Sequence, residues 1–105
     1  MLQPPPGPAV FWPPSAPQIG HRVFYRLSAA DVRLITRQRM PLGIRAAAVR
    51  TDDVLPAVIV RVSGDGPQAP CNLSVFLDGP DQYWAQQAVC GETAGCWAWP
   101  TSPGV

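Results

Sequence analysis

The chain contains no lysine: its eight Lys/Arg positions are all arginine, set against seven acids and a single histidine. With a net charge of +1 and only 14% charged residues, it lacks the broad basic surface by which a dedicated nucleic-acid binder neutralises phosphates. The missing lysine reads first as the composition of a GC-rich genome. The sharper alternative is that arginine's planar fork serves to hold carboxylates or phosphates. No apolar run approaches the ~20 residues of a membrane span, and the N-terminus lacks the charged start and continuous apolar core of a signal peptide. The expectation is a soluble protein made in a cytoplasm, with no membrane partner. Also missing are a glycine-rich phosphate loop, a metal-ligand spacing and a Ser-His-Asp set. His21, with no Ser or Cys assignable to it as a nucleophile, reads as a solvent-facing strand residue. The chain is therefore expected not to be an enzyme and to use no cofactor or metal.

Cysteine is scarce. Cys71, Cys90 and Cys96 are an odd number in no metal-like pattern. Cys90 and Cys96 bracket GETAG, whose glycines let the chain fold back, so a disulfide between them is one alternative. Free, partly buried thiols are the favoured one.

What the chain has in abundance is proline, seven of the fourteen falling in the first eighteen residues. Residues 1–18 read as a polyproline-like extended arm, and residues 19–105 as one small β domain. About 85 residues then remain to build a core, and a domain of that size buries roughly 60 to 65% of its unfolded surface. So small a core favours oligomerisation or docking. Val10, Phe11, Trp12, Pro13 and Pro14 form an apolar cluster within the arm. Aromatic residues in a stiff segment suit a groove on another subunit, because such an arm has little entropy to lose; the alternative is a loose tail.

Within the domain, HRVFYRL (residues 21–27) alternates as a strand, with Val23 and Tyr25 on one face. Ser28 and Asp31 make a capping-box variant that opens a helix to about Arg39, with Val32 and Ile35 as its apolar stripe. Pro41 and Gly43 end it, and residues 44–53 are ambiguous between a short helix and a crossing strand. Residues 54–62 are the strongest strand. They are apolar on both faces, which predicts cover on both sides, and Pro56 sits near their beginning, where a missing donor does least harm. Leu73, Val75 and Leu77 share one face of the next strand. The turn DGPD follows, with Gly79 offering a positive φ. A fourth strand runs over residues 83–89, and Trp97 and Trp99 lie on one face of a short fifth. The fold class expected is mainly β: a small rolled sheet or SH3-like barrel of about five strands with one inserted helix.

Candidate sites are few. Asp78 and Asp81 share a tight turn, where Asp is most often a turn former rather than a paired acid or metal ligand. Trp84, Trp97 and Trp99 are either plugs of the core or a stacking platform for a base or a partner's proline. Arg33 and Arg37 lie one helical turn apart, and Arg22 and Arg26 share a face of the first strand. If helix and strand pack together, some of these form a site for phosphate or carboxylate; a solvated helix face is the alternative.

From about Ile19 to Pro100, the order of IGHRVFYRLSAADVRLITRQR, DDVLPAVIVRV, CNLSVFLDGPDQYWA and GETAGCWAWP resembles a group of small uncharacterised proteins of tailed bacteriophages and prophages. The likeness is most specific in residues 72–84. Members are similar in the Asn-Leu-x-Val-Phe-Leu-Asp-Gly strand and turn and in the terminal Trp-x-Trp-Pro. This chain departs from them at Cys71, where a hydrophobic residue is usual, at Pro80, where Asn is, and in its proline arm. A weaker likeness, to growth-inhibiting toxin ribonucleases with small barrels, carries no catalytic residue over. The resemblance implies a phage origin and brings no activity with it. Two roles fit. One is a virion structural or accessory subunit (capsid decoration, cement or connector) assembled in the host cytoplasm, whose arm reaches across a neighbouring capsid, tail or identical subunit. The other is an early accessory protein that binds a host factor or sequesters a nucleotide signal of antiviral defence, a phosphorylated small molecule, through arginine and tryptophan.

Overall fold

The computed structural model describes residues 16–100, so the aromatic cluster at residues 10–14 lies outside the described residues. The elements, in chain order, are β1 (Arg22–Arg26), α1 (Ala29–Arg39), β2 (Val54–Val62), β3 (Cys71–Phe76), β4 (Gln82–Ala88) and β5 (Trp97–Ala98). They form a mainly β domain: one antiparallel sheet in the order β4-β3-β2-β1-β5, with α1 inserted between β1 and β2. The segment left ambiguous, residues 44–53, contains neither helix nor strand.

Alternation decides the core. Val23, Tyr25, Ala57, Ile59, Leu73, Val75, Tyr83, Ala85 and Trp97 all point to one side of the sheet and are buried. The sheet curls around them. Beyond β4, Trp97 N–H donates to the Val89 carbonyl (3.0 Å) and Gly91 N–H to the Trp97 carbonyl (2.9 Å), making a single parallel bridge between Cys90 and Trp97. No continuous ladder joins β4 to β5 among the described residues, so the five strands do not form a closed barrel ladder there.

β2 shows why Pro56 is tolerated in an interior strand. Ile59 donates to the His21 carbonyl and accepts from Gly20 N–H, so its backbone groups face β1. Direction alternates along an antiparallel strand, which turns the position of Pro56 toward β3. The β2–β3 register begins only at Ala57, and the missing donor falls outside it. The expectation that β2 is covered on both faces is corrected. Ala57 and Ile59 are buried, but Val54, Pro56 and Val60 on the other face are exposed.

The helix is attached by an unexpected stripe. Its buried residues are Asp31, Ile35 and Arg39, which are four apart and so lie in one row; Val32 packs only partly. Arg39 sits under the β3–β4 turn. Its Nε and Nη2 donate to the two carboxylate oxygens of Asp81 (2.8 and 3.0 Å), Nη1 to the Ala47 carbonyl (3.2 Å) and Nη2 also to that of Asp78 (3.4 Å). One guanidinium thus joins the helix end, the following loop and the turn. These hydrogen bonds hold the Asp81 carboxyl below the ordinary carboxylate range. Asp81 is therefore the partner of a structural arginine, and among the described residues no group of His, Cys, Asp and Glu is arranged to hold a metal ion.

β4 carries a bulge. The β3–β4 register shifts between Cys71 and Leu73, and Gln87 takes φ +56°. Its displaced N–H donates to the side-chain oxygen of Asn72 at 3.0 Å.

At Gly79, with φ +156°, a Cβ would stand 3.2 Å from Arg39 Nη2, 3.2 Å from Asp81 Oδ1 and 3.3 Å from the Ala46 Cβ. Gly79→Ala is expected to push on the ion pair and destabilise by about 1 to 2 kcal/mol. Asp81→Ala, which strips the fork of its partner, is expected to cost about 2 kcal/mol. Urea unfolding followed by circular dichroism checks both. The pair should show non-additive losses, because the two changes act on one contact.

Candidate functional site

The side chain at the centre of the molecule is Asp31. It occupies the third position of α1, where a short acid closes the capping box: Ser28 Oγ accepts from Asp31 N–H (3.1 Å) and Asp31 Oδ2 accepts from Ser28 N–H (2.8 Å). The same carboxylate reaches into the sheet. Tyr25 of β1 donates its hydroxyl to Oδ2 at 2.6 Å and Tyr83 of β4 donates to Oδ1 at 2.6 Å. Burial acts to raise the Asp31 carboxyl, but the hydrogen bonds from Ser28, Tyr25 and Tyr83 together outweigh it and leave it below the ordinary carboxylate range. Burial and the neighbouring carboxylate push both tyrosines far above the usual phenol range.

Above this node lies an open groove of about 550 Å³ between α1 and the edge strand β4. Its floor is Tyr25, Asp31 and Tyr83; Leu34, Arg37 and Gln38 of α1 form one wall and Trp84 and Gln86 of β4 the other. Trp84 is 59% exposed. Gln38 is fixed, its Nε2 donating to the Gln82 carbonyl (2.9 Å) and to Asp81 Oδ2 (3.3 Å). The hydroxyls and the carboxylate of the floor already satisfy one another, so the groove offers shape, a stacking surface and one exposed cation rather than an activated nucleophile.

The four candidate arginines divide between two faces: Arg33 and Arg37 share an exposed hollow on α1, whereas Arg22 and Arg26 lie on the sheet. Arg22 and Arg26 alternate with the buried Val23 and Tyr25 and line hollows on the outer side of the sheet with Phe24, where Arg26 Nη1 donates to the Asp52 carbonyl (3.3 Å). Arg37 lines the groove on the helix side, and Arg33 lies on the exposed face of α1 beside Thr36 and Met40. The tryptophans also divide. Trp97 is fully buried, with its indole N–H on the Ala88 carbonyl (3.1 Å), and has no surface to offer a ligand. Trp99 packs edge-on against it at 4.9 Å and against His21 at 5.2 Å. His21 Nδ1 accepts from the Gln18 N–H (2.9 Å), which fixes its ring in a turn. The three cysteines are unpaired, and burial pushes the Cys71 and Cys90 thiols up, away from the reactive thiolate.

Sequence reasoning passed over Tyr25, Asp31 and Tyr83 as a unit. The signal was there: both tyrosines fall on the inward phase of their strands, and a buried hydroxyl needs a partner. No protein-family model, no curated protein and no solved structure matches the chain. No helix among the described residues is long and apolar enough to cross a membrane.

Tyr25 and Tyr83 are the only two tyrosines, so the node has its own spectroscopic signal. Native protein titrated with alkali should give no tyrosinate absorbance near pH 10, the ordinary midpoint, and both phenols should then ionise together with unfolding. In urea they should titrate normally. A phenol whose folded pKa is raised stabilises the fold below its unfolded pKa, and that contribution is lost as pH rises beyond it. For Asp31, lowered when folded, the stabilisation is present above the ordinary carboxylate range and is lost as pH falls through it. Asp31→Asn is expected to flatten the acid limb of the urea midpoint against pH, and Asp31→Ala to cost about 3 kcal/mol by stranding two buried hydroxyls and removing a cap.

Proposed function

We propose that the protein is a non-catalytic assembly subunit, in which the proline arm of one copy covers the outer face of a neighbouring copy's sheet. In the phage setting that the sequence resembles, this is a virion structural or accessory role such as decoration, cement or connector. One observation carries the reading: the sheet face opposite the helix presents a row of exposed apolar side chains that no other element among the described residues covers. Registered pairs place Phe24 beside Pro56 on β2 and Ala98 on β5, and Arg22 beside Val58. Val54 and Val60 on β2 and Phe76 on β3 are on the same side and exposed. Two hollows of about 190 and 130 Å³ flank Phe24. Contiguous apolar surface of this kind marks an interaction site.

The chemistry of the patch fits the arm. Aromatic side chains spaced by small hollows are how proline-rich segments are held, because the rings of proline pack on flat aromatic faces and the stiff segment gives up little entropy. Geometry is compatible as well. Gly20 donates to the Ile59 carbonyl (2.8 Å), so the chain enters β1 beside Val60, at the border of the patch. Fifteen residues of polyproline helix reach about 45 Å, against about 20 Å across five strands.

Native mass spectrometry of the full chain is expected to show a defined oligomer. Phe24→Asp with Phe76→Asp, or removal of residues 1–15, should convert it to monomer with an unchanged far-ultraviolet spectrum. A wild-type monomer at every concentration, or an oligomer indifferent to both changes, overturns the reading. For the virion role, proteomics of purified particles should detect the protein.

A further inference from the structure

β4 ends the sheet, with β3 on one side and no strand on the other among the described residues. Its open edge faces the groove whose opposite wall is α1. The Gln82 carbonyl accepts from Gln38 of the helix, so it points away from β3. Inward and outward groups alternate by residue along an antiparallel strand. Trp84, two residues on, therefore also turns its N–H and C=O outward, and the bulge at Gln87 ends the alternation.

We propose that this groove takes an extended acidic peptide segment of a partner protein, added as a strand to β4. The backbone groups of Trp84 pair with the segment, its apolar side chains turn to the Trp84 side of the sheet and its acidic side chains turn to Arg37 of α1. Three observations converge. The strand edge supplies unpaired main-chain groups, the usual basis of strand addition. The volume of about 550 Å³ accommodates two or three side chains and falls among ligand pockets of about 300 to 1,000 Å³. The charge is one-sided: among the lining residues Arg37 is the exposed ion, whereas Asp31 is buried and engaged by three donors. An acid on the ligand complements that wall and a lysine opposes it. The proline arm does not suit this site, because proline has no N–H to pair. The groove's partner is thus distinct from the occupant of the outer face, and either assignment can fail without the other.

The test is calorimetric titration of the full chain with three synthetic hexapeptides. One alternates valine with glutamate, the second replaces glutamate with lysine, and the third is the acidic peptide with its backbone amides methylated. The acidic peptide is expected to bind, the lysine peptide about tenfold more weakly or worse, and the methylated peptide not at all. Arg37→Glu, an exposed helix position, should reverse the charge preference, and Phe24→Asp on the outer face should leave binding intact. No binding of the acidic peptide at millimolar concentration, equal binding of its methylated form, or indifference to Arg37→Glu overturns the proposal.

Discussion

Everything in this small domain is arranged around one carboxylate. Asp31 caps its own helix through Ser28 and accepts hydroxyls from strands at opposite parts of the sheet, β1 and β4. An eleven-residue helix is too short to stand alone in water, and this one buries a single large aliphatic side chain, Ile35, in its sheet-facing row. Its attachment is therefore directional rather than greasy, fixed by hydrogen bonds at Asp31 and by the Arg39–Asp81 fork two turns later. A helix held at both ends by oriented polar contacts cannot rotate or slide as one held by an oily stripe can, so the groove beside it has defined walls.

The two faces of the sheet are unlike. The inner one is filled by side chains from every strand and by α1; the outer one shows Phe24, Phe76 and three valines or prolines of β2 to solvent. A branched aliphatic strand such as β2 carries more apolar surface than the chain's described residues cover. That imbalance supports an interaction role more directly than any motif, and it separates the outer face from the α1–β4 groove, which is aromatic on one wall and charged on the other.

Much of the architecture was legible in the residues. The alternation of Val23 and Tyr25, and of Leu73, Val75 and Leu77, places strands and inward faces correctly, and Ser28 with Asp31 marks the helix start as a capping box. Local signals of this kind report local structure. Long-range polar pairing leaves no periodic trace, so Arg39 was passed over in favour of Arg33 and Arg37, although it pairs with a carboxylate forty-two residues away in sequence. Val32 looked like half of the helix's apolar stripe for the same reason: hydropathy alone assigns a buried row to valine, whereas the row that docks contains Asp and Arg with their partners. Trp97, for which plug was the favoured reading and platform the alternative, is a plug because strand pairing with Tyr25 carries it into the core. Barrel closure depends on how far a sheet curls, which no single strand encodes.

The Gln87 bulge has a bearing on how this chain behaves in a crowd. An unprotected sheet edge is a template, and an edge that is straight along its whole length can recruit copy after copy into a fibre. Here the positive φ of Gln87 and the use of its N–H by Asn72 spoil the far half of β4 as a template, while its near half is bounded by Gln38. Among the described residues only a short stretch of β4 around Trp84 keeps outward main-chain groups, too little to seed unlimited growth along that edge.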